Sequence, residues 1–363
     1  MLAFIQGLGV FLLSALMALH LYRHFILNKT NEALPTIPFA GDIFLLGDNV
    51  VAKKENQGSP TKTVICMPGF METFSYYFDL YDGQQDIEVI LVNNCSYHAP
   101  LCTKSAAIPD WYNKRNPYQS GTIEHDAWVF SQVVIHLPTT DQVVVQGHSR
   151  GGAVVLEAVK MLRQSGQLSA AMKLSALLEA PVLPQGKARG DHAPLWMRLA
   201  MRYFMPMVFN YYRRNALAYL KFGGYKYPAT DVKQNIISQY FGNPKQYHIA
   251  LTNVKSIDDW FKSNGPATYD YCEDVAVMVP ERDIVLDRKS MLASAESAGH
   301  VKVIHVPRAD HFISLERPEF VLDYIRSLWV DNATTESPVQ KQHIGHQEQA
   351  LEVETEATEQ TEV

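Results

Sequence analysis

The chain has 363 residues, 47% hydrophobic and 19% charged, which suits one large α/β domain with insertions and is too long for a minimal domain. A formal charge of −6 gives no reason to expect a nucleic-acid partner. Four cysteines (Cys66, Cys95, Cys102 and Cys272) without a C-x-x-C pair exclude a disulfide scaffold and argue against a structural zinc site. Cys95 and Cys102 could pair in an oxidising compartment, but two buried thiols are the better reading. No repeat of fixed period is present, which excludes a solenoid or propeller.

Residues 2–22, LAFIQGLGVFLLSALMALHLY, carry no charge, and as a helix they measure about 31 Å, enough to cross a bilayer core. A cleaved signal peptide and a soluble amphipathic helix compete with a retained anchor. No basic residue precedes Arg23 and no A-x-A triplet follows the run, so the anchor is preferred. Arg23 and Lys29 just beyond the run favour a cytoplasmic catalytic domain. Residues 23–40 read as a linker.

From about residue 41 short apolar runs recur, at 43–46, 63–67, 89–92, 143–145, 174–178, 275–279 and 301–306. Several are continuous in Val and Ile, as expected of parallel strands covered on both faces. Helical patterns at 153–163 and 318–329 fall among them. Alternation of strand and helix over 41–180 and 271–330 predicts a doubly wound, mainly parallel α/β sheet.

Residues 181–270 interrupt the rhythm with 16 of the chain's 39 aromatic residues and a net charge of +7. A structureless loop of that length is implausible, so a helical insertion is expected. Trp196, Met197, Met201, Phe204, Met205, Val208, Phe209 and Tyr212 recur at helical spacing with arginines between them. Such a face suits an apolar substrate or a membrane surface; packing of the insertion's own core is expected to occupy more than half of these residues. Residues 331–363 carry a net charge of −7 and almost no aromatic content, and so read as a disordered acidic tail. His343 and His346 within it do not amount to a metal site.

The strongest local signal is Gly147-His148-Ser149-Arg150-Gly151-Gly152, after the strand-like DQVVVQ and before the helix-like AVVLEAVKMLRQ. A sharp strand-to-helix turn puts Ser149 at its apex, and glycines two positions either side avoid a Cβ clash. A serine nucleophile needs a base. His311 follows the last strand candidate by the short loop RAD, at the same sheet edge as Ser149; His148 and His305 fit structural roles better. A carboxylate must orient that base. Asp283, in Pro280-Glu281-Arg282-Asp283 after the strand VAVMV, is preferred over Asp287, Glu281 and Asp310. The backbone N–H groups of Arg150 and Phe70 are the expected oxyanion donors, with a plain proline–glycine turn at Pro68-Gly69-Phe70 as the alternative.

Together these residues resemble the α/β-hydrolase superfamily, in particular its capped members, over residues 40–330. The resemblance rests on GHSRGG, on Pro68-Gly69-Phe70, on Asp283 in a strand-end loop and on DHFISLERPE at 310–319. Pro68, Pro280 and Asp310 depart from the family's usual histidine, glycine and glycine. The resemblance implies an eight-stranded sheet, a lid at 181–270 and the triad Ser149, Asp283 and His311, with no cofactor or metal. Serine at the elbow disfavours relatives that carry aspartate there. An aromatic lid and an apolar anchor favour a lipophilic acyl ester as substrate. Thioesterase, C–C hydrolase, peptidase or acyltransferase chemistry on the same fold, and a non-catalytic membrane-tethered binding protein, are the alternatives.

Overall fold

The computed structural model describes residues 1–29, 36–102, 106–113, 115–215, 218–219, 231–244 and 246–329. The chain divides into Met1–Ile325, which holds the sheet and the site, and Arg326–Val363. The acidic stretch at 331–363, expected to be disordered, lies outside the described residues.

Among the described residues the main sheet has nine strands where the family resemblance implied eight. In chain order they are β2 (Gly41–Leu46), β3 (Asn49–Lys54), β4 (Lys62–Met67), β5 (Ile87–Val92), β7 (Ala106–Ala107), β8 (Gln142–His148), β9 (Lys173–Glu179), β10 (Asp274–Pro280) and β11 (Val301–Val306). Their spatial order is β11-β10-β9-β8-β4-β5-β3-β2-β7. The ninth strand is β7, two residues paired with Ile43 and Phe44 at the sheet edge. A separate two-stranded pair joins β1 (Ile37–Pro38) to β6 (Leu101–Cys102). Only β3 runs against its neighbours in the main sheet. Every residue of β4 and β5 is buried, because helices cover both faces of a central parallel strand. At the edge, β11 is mostly half-exposed.

Two helices frame the centre of the sheet. Helix α2 (Ile123–His136) starts at Thr122, whose side chain accepts from the His125 N–H, satisfying one donor of the open first turn. Helix α3 (Arg150–Ser165) follows β8 after the single residue Ser149 and stops at Gly166 in the left-handed region, φ 65°. Leu156, Val159 and Leu162 of α3 pack with Phe130, Val133 and Val134 of α2 in one core with the strands; each fully buried apolar side chain of this kind contributes about 1.5–3 kcal/mol.

Helix α1 (Leu2–Leu27) runs five residues beyond the boundary expected at residue 22, into the stretch read as a linker. Most of it is exposed, but Ile26 and Leu27 are buried. Between β9 and β10 the chain forms α4 (Leu195–Arg214), a helix at Asp231–Tyr240 and a helix at Gln246–Ser263. Trp196, Met197, Met201, Phe204 and Val208 of α4 are exposed, so the expectation that the insertion's own core takes up most of this apolar set is corrected. All four cysteines are free, with Cys66, Cys95 and Cys272 buried. Cys102 is exposed, against the expectation that it and Cys95 are both buried thiols.

Candidate active site

Strand β8 ends at His148 and the chain turns at once into α3, leaving Ser149 at φ 52°, ψ −118°. A non-glycine residue with positive φ is strained and must be held there by its surroundings. Three backbone hydrogen bonds do so. The Ser149 N–H donates to Glu179 O at 2.9 Å, and Ser149 O accepts from the N–H of Gly152 (3.0 Å) and of Val182 (2.8 Å). A Cβ on Gly147 would lie 2.4 Å from Gly151 O, and one on Gly151 would lie 2.1 Å from Met67 O. The elbow therefore has no room for a side chain on either glycine.

Strand β10 delivers Asp283 just past its end and the loop after β11 delivers His311. Asp283 Oδ2 accepts from His311 Nδ1 at 2.7 Å, while Oδ1 accepts from the N–H groups of Val285 (2.7 Å) and Leu286 (2.8 Å). Both carboxylate oxygens are thus fixed, and the pair is buried. Two of the alternative carboxylates are engaged elsewhere: Asp287 accepts from Ser290 N–H at the start of a helix and Glu281 from Arg308 N–H; Asp310 is buried, with its own N–H on Glu316. His305 is exposed on β11. His311 Nε2 carries no hydrogen bond among the described residues, and His311 and Ser149 line one cavity of about 90 Å³. Its wall is mostly aromatic: Phe70, Phe209, Tyr240, Phe241 and Phe312.

His148 lies beneath the site, stacked on Tyr76 with ring centroids 4.4 Å apart. Its Nε2 donates to His311 O at 2.8 Å, and its Nδ1 faces Glu72 Oε2 at 2.7 Å. Two acceptors, one on each ring nitrogen, require the doubly protonated imidazolium. Burial opposes that charge, but the carboxylates of Glu72 and Glu179 outweigh it and raise the pKa to about 8. Burial pushes Glu179 up, with the imidazolium opposing; its oxygens accept from Gln146 Nε2 (2.6 Å) and Ser314 Oγ (2.5 Å).

The Pro68-Gly69-Phe70 turn is held from two sides. Glu72 Oε2 accepts from the Gly69 N–H at 2.6 Å, and Asn94 Nδ2 donates to Gly69 O (2.9 Å) and Glu72 O (3.2 Å). The N–H groups of Phe70 and Arg150 find no acceptor among the described residues, which leaves both free for a developing oxyanion. The Arg150 side chain, fully buried, has a separate task. It donates to Asn94 Oδ1 (2.6 Å), Asp126 Oδ2 (2.7 Å) and the carbonyls of Gly121 and Thr122, tying the elbow to the start of α2 and, through Asn94, to the turn at Phe70.

Sequence reasoning missed Glu72, Asn94, Asp126 and Glu179, whose buried polar side chains are set by partners in other elements. It also missed Cys95, His125 and Asp126, whose potential ligand atoms lie within 4.8 Å of one another. Asp126 is already committed there: besides Arg150, it accepts from Asn49 Nδ2 and the Cys95 N–H. A guanidinium on the carboxylate opposes any cation placed beside it.

No protein-family model matches the sequence, and no curated protein matches it. Solved structures do. An esterase from Exiguobacterium antarcticum is similar at 15% identity and a TM-score of 0.55, over 79% of this chain and 100% of that one. A 2-hydroxy-6-oxo-6-phenylhexa-2,4-dienoate hydrolase from Rhodococcus sp. strain RHA1 is similar at 14% identity and a TM-score of 0.54, over 78% and 96%. An E-2-(acetamidomethylene)succinate hydrolase gives 13% identity and a TM-score of 0.52, over 79% and 97%. Taken with the strand order and the turn at Ser149, this likeness means that the chain has the α/β-hydrolase fold.

Proposed function

We propose that the protein is a serine hydrolase of carboxylic esters with a lipophilic acyl group. The observation that carries this reading is Ser149 on a strained turn, sharing an aromatic-walled cavity with a histidine whose other nitrogen is held by Asp283. Ser149 Oγ attacks the acyl carbonyl while its proton passes to His311 Nε2, and the oxyanion is received by the N–H groups of Phe70 and Arg150. Collapse breaks the ester bond, His311 gives the proton to the leaving alcohol, and the acyl group remains on Ser149. Water then loses a proton to His311 and attacks, releasing the acid and restoring the hydroxyl. Asp283 holds the tautomer and stabilises the imidazolium at each stage.

The aromatic wall and the 24-residue apolar stretch Phe4–Leu27 of α1 support a lipophilic substrate and a membrane anchor. Arg23 and Lys29 support a cytoplasmic catalytic domain. The insertion between β9 and β10 serves as the lid, a reading supported by Phe209 and Phe241 from it lining the Ser149 cavity. The same catalytic groups suit a thioester, and the likeness to the phenylhexadienoate hydrolase keeps C–C bond cleavage as a second reading. Labelling by a fluorophosphonate probe, abolished in Ser149→Ala, tests the nucleophile; an unlabelled, folded protein overturns the reading. Rates on acyl esters, acyl thioesters and a vinylogous diketone then separate ester cleavage from the second reading.

A further inference from the structure

Helix α4 presents two chemically different faces. Phe209 on one side lies in the wall of the Ser149 cavity, its ring 6.2 Å from Phe70 and 5.4 Å from Phe241. On the other side Met197, Met201, Phe204, Val208 and Tyr211 follow one another at intervals of four, three, four and three residues, which puts them on one stripe. All five are exposed, at 40–54%. An unbroken apolar stripe of this length, backed by a functional cavity, marks a contact surface.

Its neighbour indicates what covers it. The α1 contacts with α4 include those at one end of the apolar run: Arg23 Nε donates to Tyr203 O at 3.1 Å with its guanidinium 5.0 Å from the Tyr203 ring. His20 Nδ1 lies 3.3 Å from Tyr203 OH, and Asn210 Nδ2 donates to Tyr22 OH at 3.4 Å. From Leu2 to Tyr22 the helix rises about 30 Å, the thickness of a bilayer's hydrocarbon core. Arg23, the first charged residue, therefore falls at the boundary between acyl chains and headgroups, and α4 is fastened at that level. A helix bound there with an apolar stripe is placed as interfacial helices are.

We propose that α4 rests on the lipid bilayer through the Met197–Tyr211 stripe and that acyl lipid passes from that bilayer into the Ser149 cavity behind it. The proposal rests on the ester-hydrolase reading and on α1 as the anchor. A second copy of the chain or bare solvent on the stripe are the competing occupants.

The test uses the full-length protein in phosphatidylcholine vesicles, with Trp196, exposed on α4, as reporter. The fluorescence removed by Trp196→Phe is expected to be quenched by lipids brominated on the acyl chains. Met201→Asp/Val208→Asp is expected to lower hydrolysis of a long-chain ester embedded in the vesicle at least about tenfold, while hydrolysis of a short water-soluble ester stays within about twofold. Unquenched Trp196 in protein that floats with the vesicles overturns the proposal, as does equal loss, or no loss, on both esters. Failure to float overturns the anchor and the proposal with it. Disulfide-linked pairs formed by Met201→Cys in the membrane overturn it in favour of a second copy. If fluorophosphonate leaves the parent unlabelled, the hydrolase reading has failed and delivery of lipid to the site is overturned with it, whatever the quenching reports about where α4 lies.

Discussion

His148 and Glu72 meet at 2.7 Å across 76 residues of sequence, and between them they join the two loops that flank Ser149. Glu72 also holds the Gly69 N–H, and His148 also holds the carbonyl of His311. The histidine beside Ser149, the proposed nucleophile, is therefore a charged strut between the turn at Phe70 and the backbone of the proposed base.

That charge predicts a pH dependence. The His148 pKa in the folded protein, about 8, lies above the ordinary value of about 6.5. The pair's contribution to stability is complete below pH about 6.5, is lost as pH rises through about 8, and is on the order of 2 kcal/mol. His125 adds a separate loss toward about 9, where Asp126 and Cys95 outweigh the effect of burial, and that loss persists in a His148 variant. Thermal melts from pH 6 to 9 should show a fall in Tm for the parent that is shallower in His148→Gln. Parallel curves would remove the charge from His148.

Asp283→Asn keeps the size of the side chain and the two backbone contacts at Oδ1, but can leave an amide N–H₂ facing His311 Nδ1. The imidazole is then held in the tautomer that has its proton on Nε2, where it cannot accept from Ser149. A loss on the order of 10⁴ in kcat is expected with Tm little changed. Steady-state kinetics on a soluble ester beside a thermal melt decides it; a loss under tenfold would make one of the neighbouring carboxylates the partner.

Shortening Arg150 strands a buried carboxylate. Asp126 is held below the usual carboxylate range: burial pushes it up, and Arg150 together with the hydrogen bonds from His125 and Asn49 outweighs that push. Arg150→Met leaves that charge buried without its main partner, an expected loss of about 3–5 kcal/mol. Asp126→Asn added to it should restore part of the stability, since the stranded charge is gone. Urea unfolding of the single and double variants measures both effects. The Arg150 backbone N–H is present in each, so any fall in kcat of the folded variant reports the loosened tie through Asn94 to the turn at Phe70.

The parts legible in the sequence were those with short-range patterns. Short apolar runs, several of them continuous in Val and Ile, marked seven strands, and the strand-turn-helix around Ser149 was readable because its glycines stand within two residues of it. Strand β3 was not, since NVVAKK ends in two lysines and is too short to display a period. Two-residue β7 has no pattern at all. The buried polar frame was hidden for another reason: Arg150 meets Asn94 across 56 residues and Asp126 across 24, distances that only the folded sheet closes. The extent of α1 was misjudged because Arg23 and His24 look like a terminus, whereas Ile26 and Leu27 are buried and extend the helix.

Two glycines beside Ser149 should separate stability from activity. A methyl on Gly151 would meet backbone atoms, Met67 O at 2.1 Å and Pro68 O at 2.9 Å, which can move only if β4 moves with them. Gly151→Ala is expected to cost about 3 kcal/mol or more and to lower the yield of folded protein. A methyl on Gly69 would meet Glu72 Oε2 at 2.7 Å, the end of a side chain that can shift, and Ser149 Cβ at 2.9 Å, which the backbone holds, so the turn at Gly69 is what gives way. Gly69→Ala should therefore fold, losing about 1–2 kcal/mol, while the displaced turn no longer presents the Phe70 N–H to the oxyanion. Loss of one such donor lowers kcat by about 10²–10³ with little change in KM. Chemical denaturation and kinetics on the same two preparations give the contrast, and a Gly69→Ala protein with full kcat would take Phe70 out of the oxyanion site.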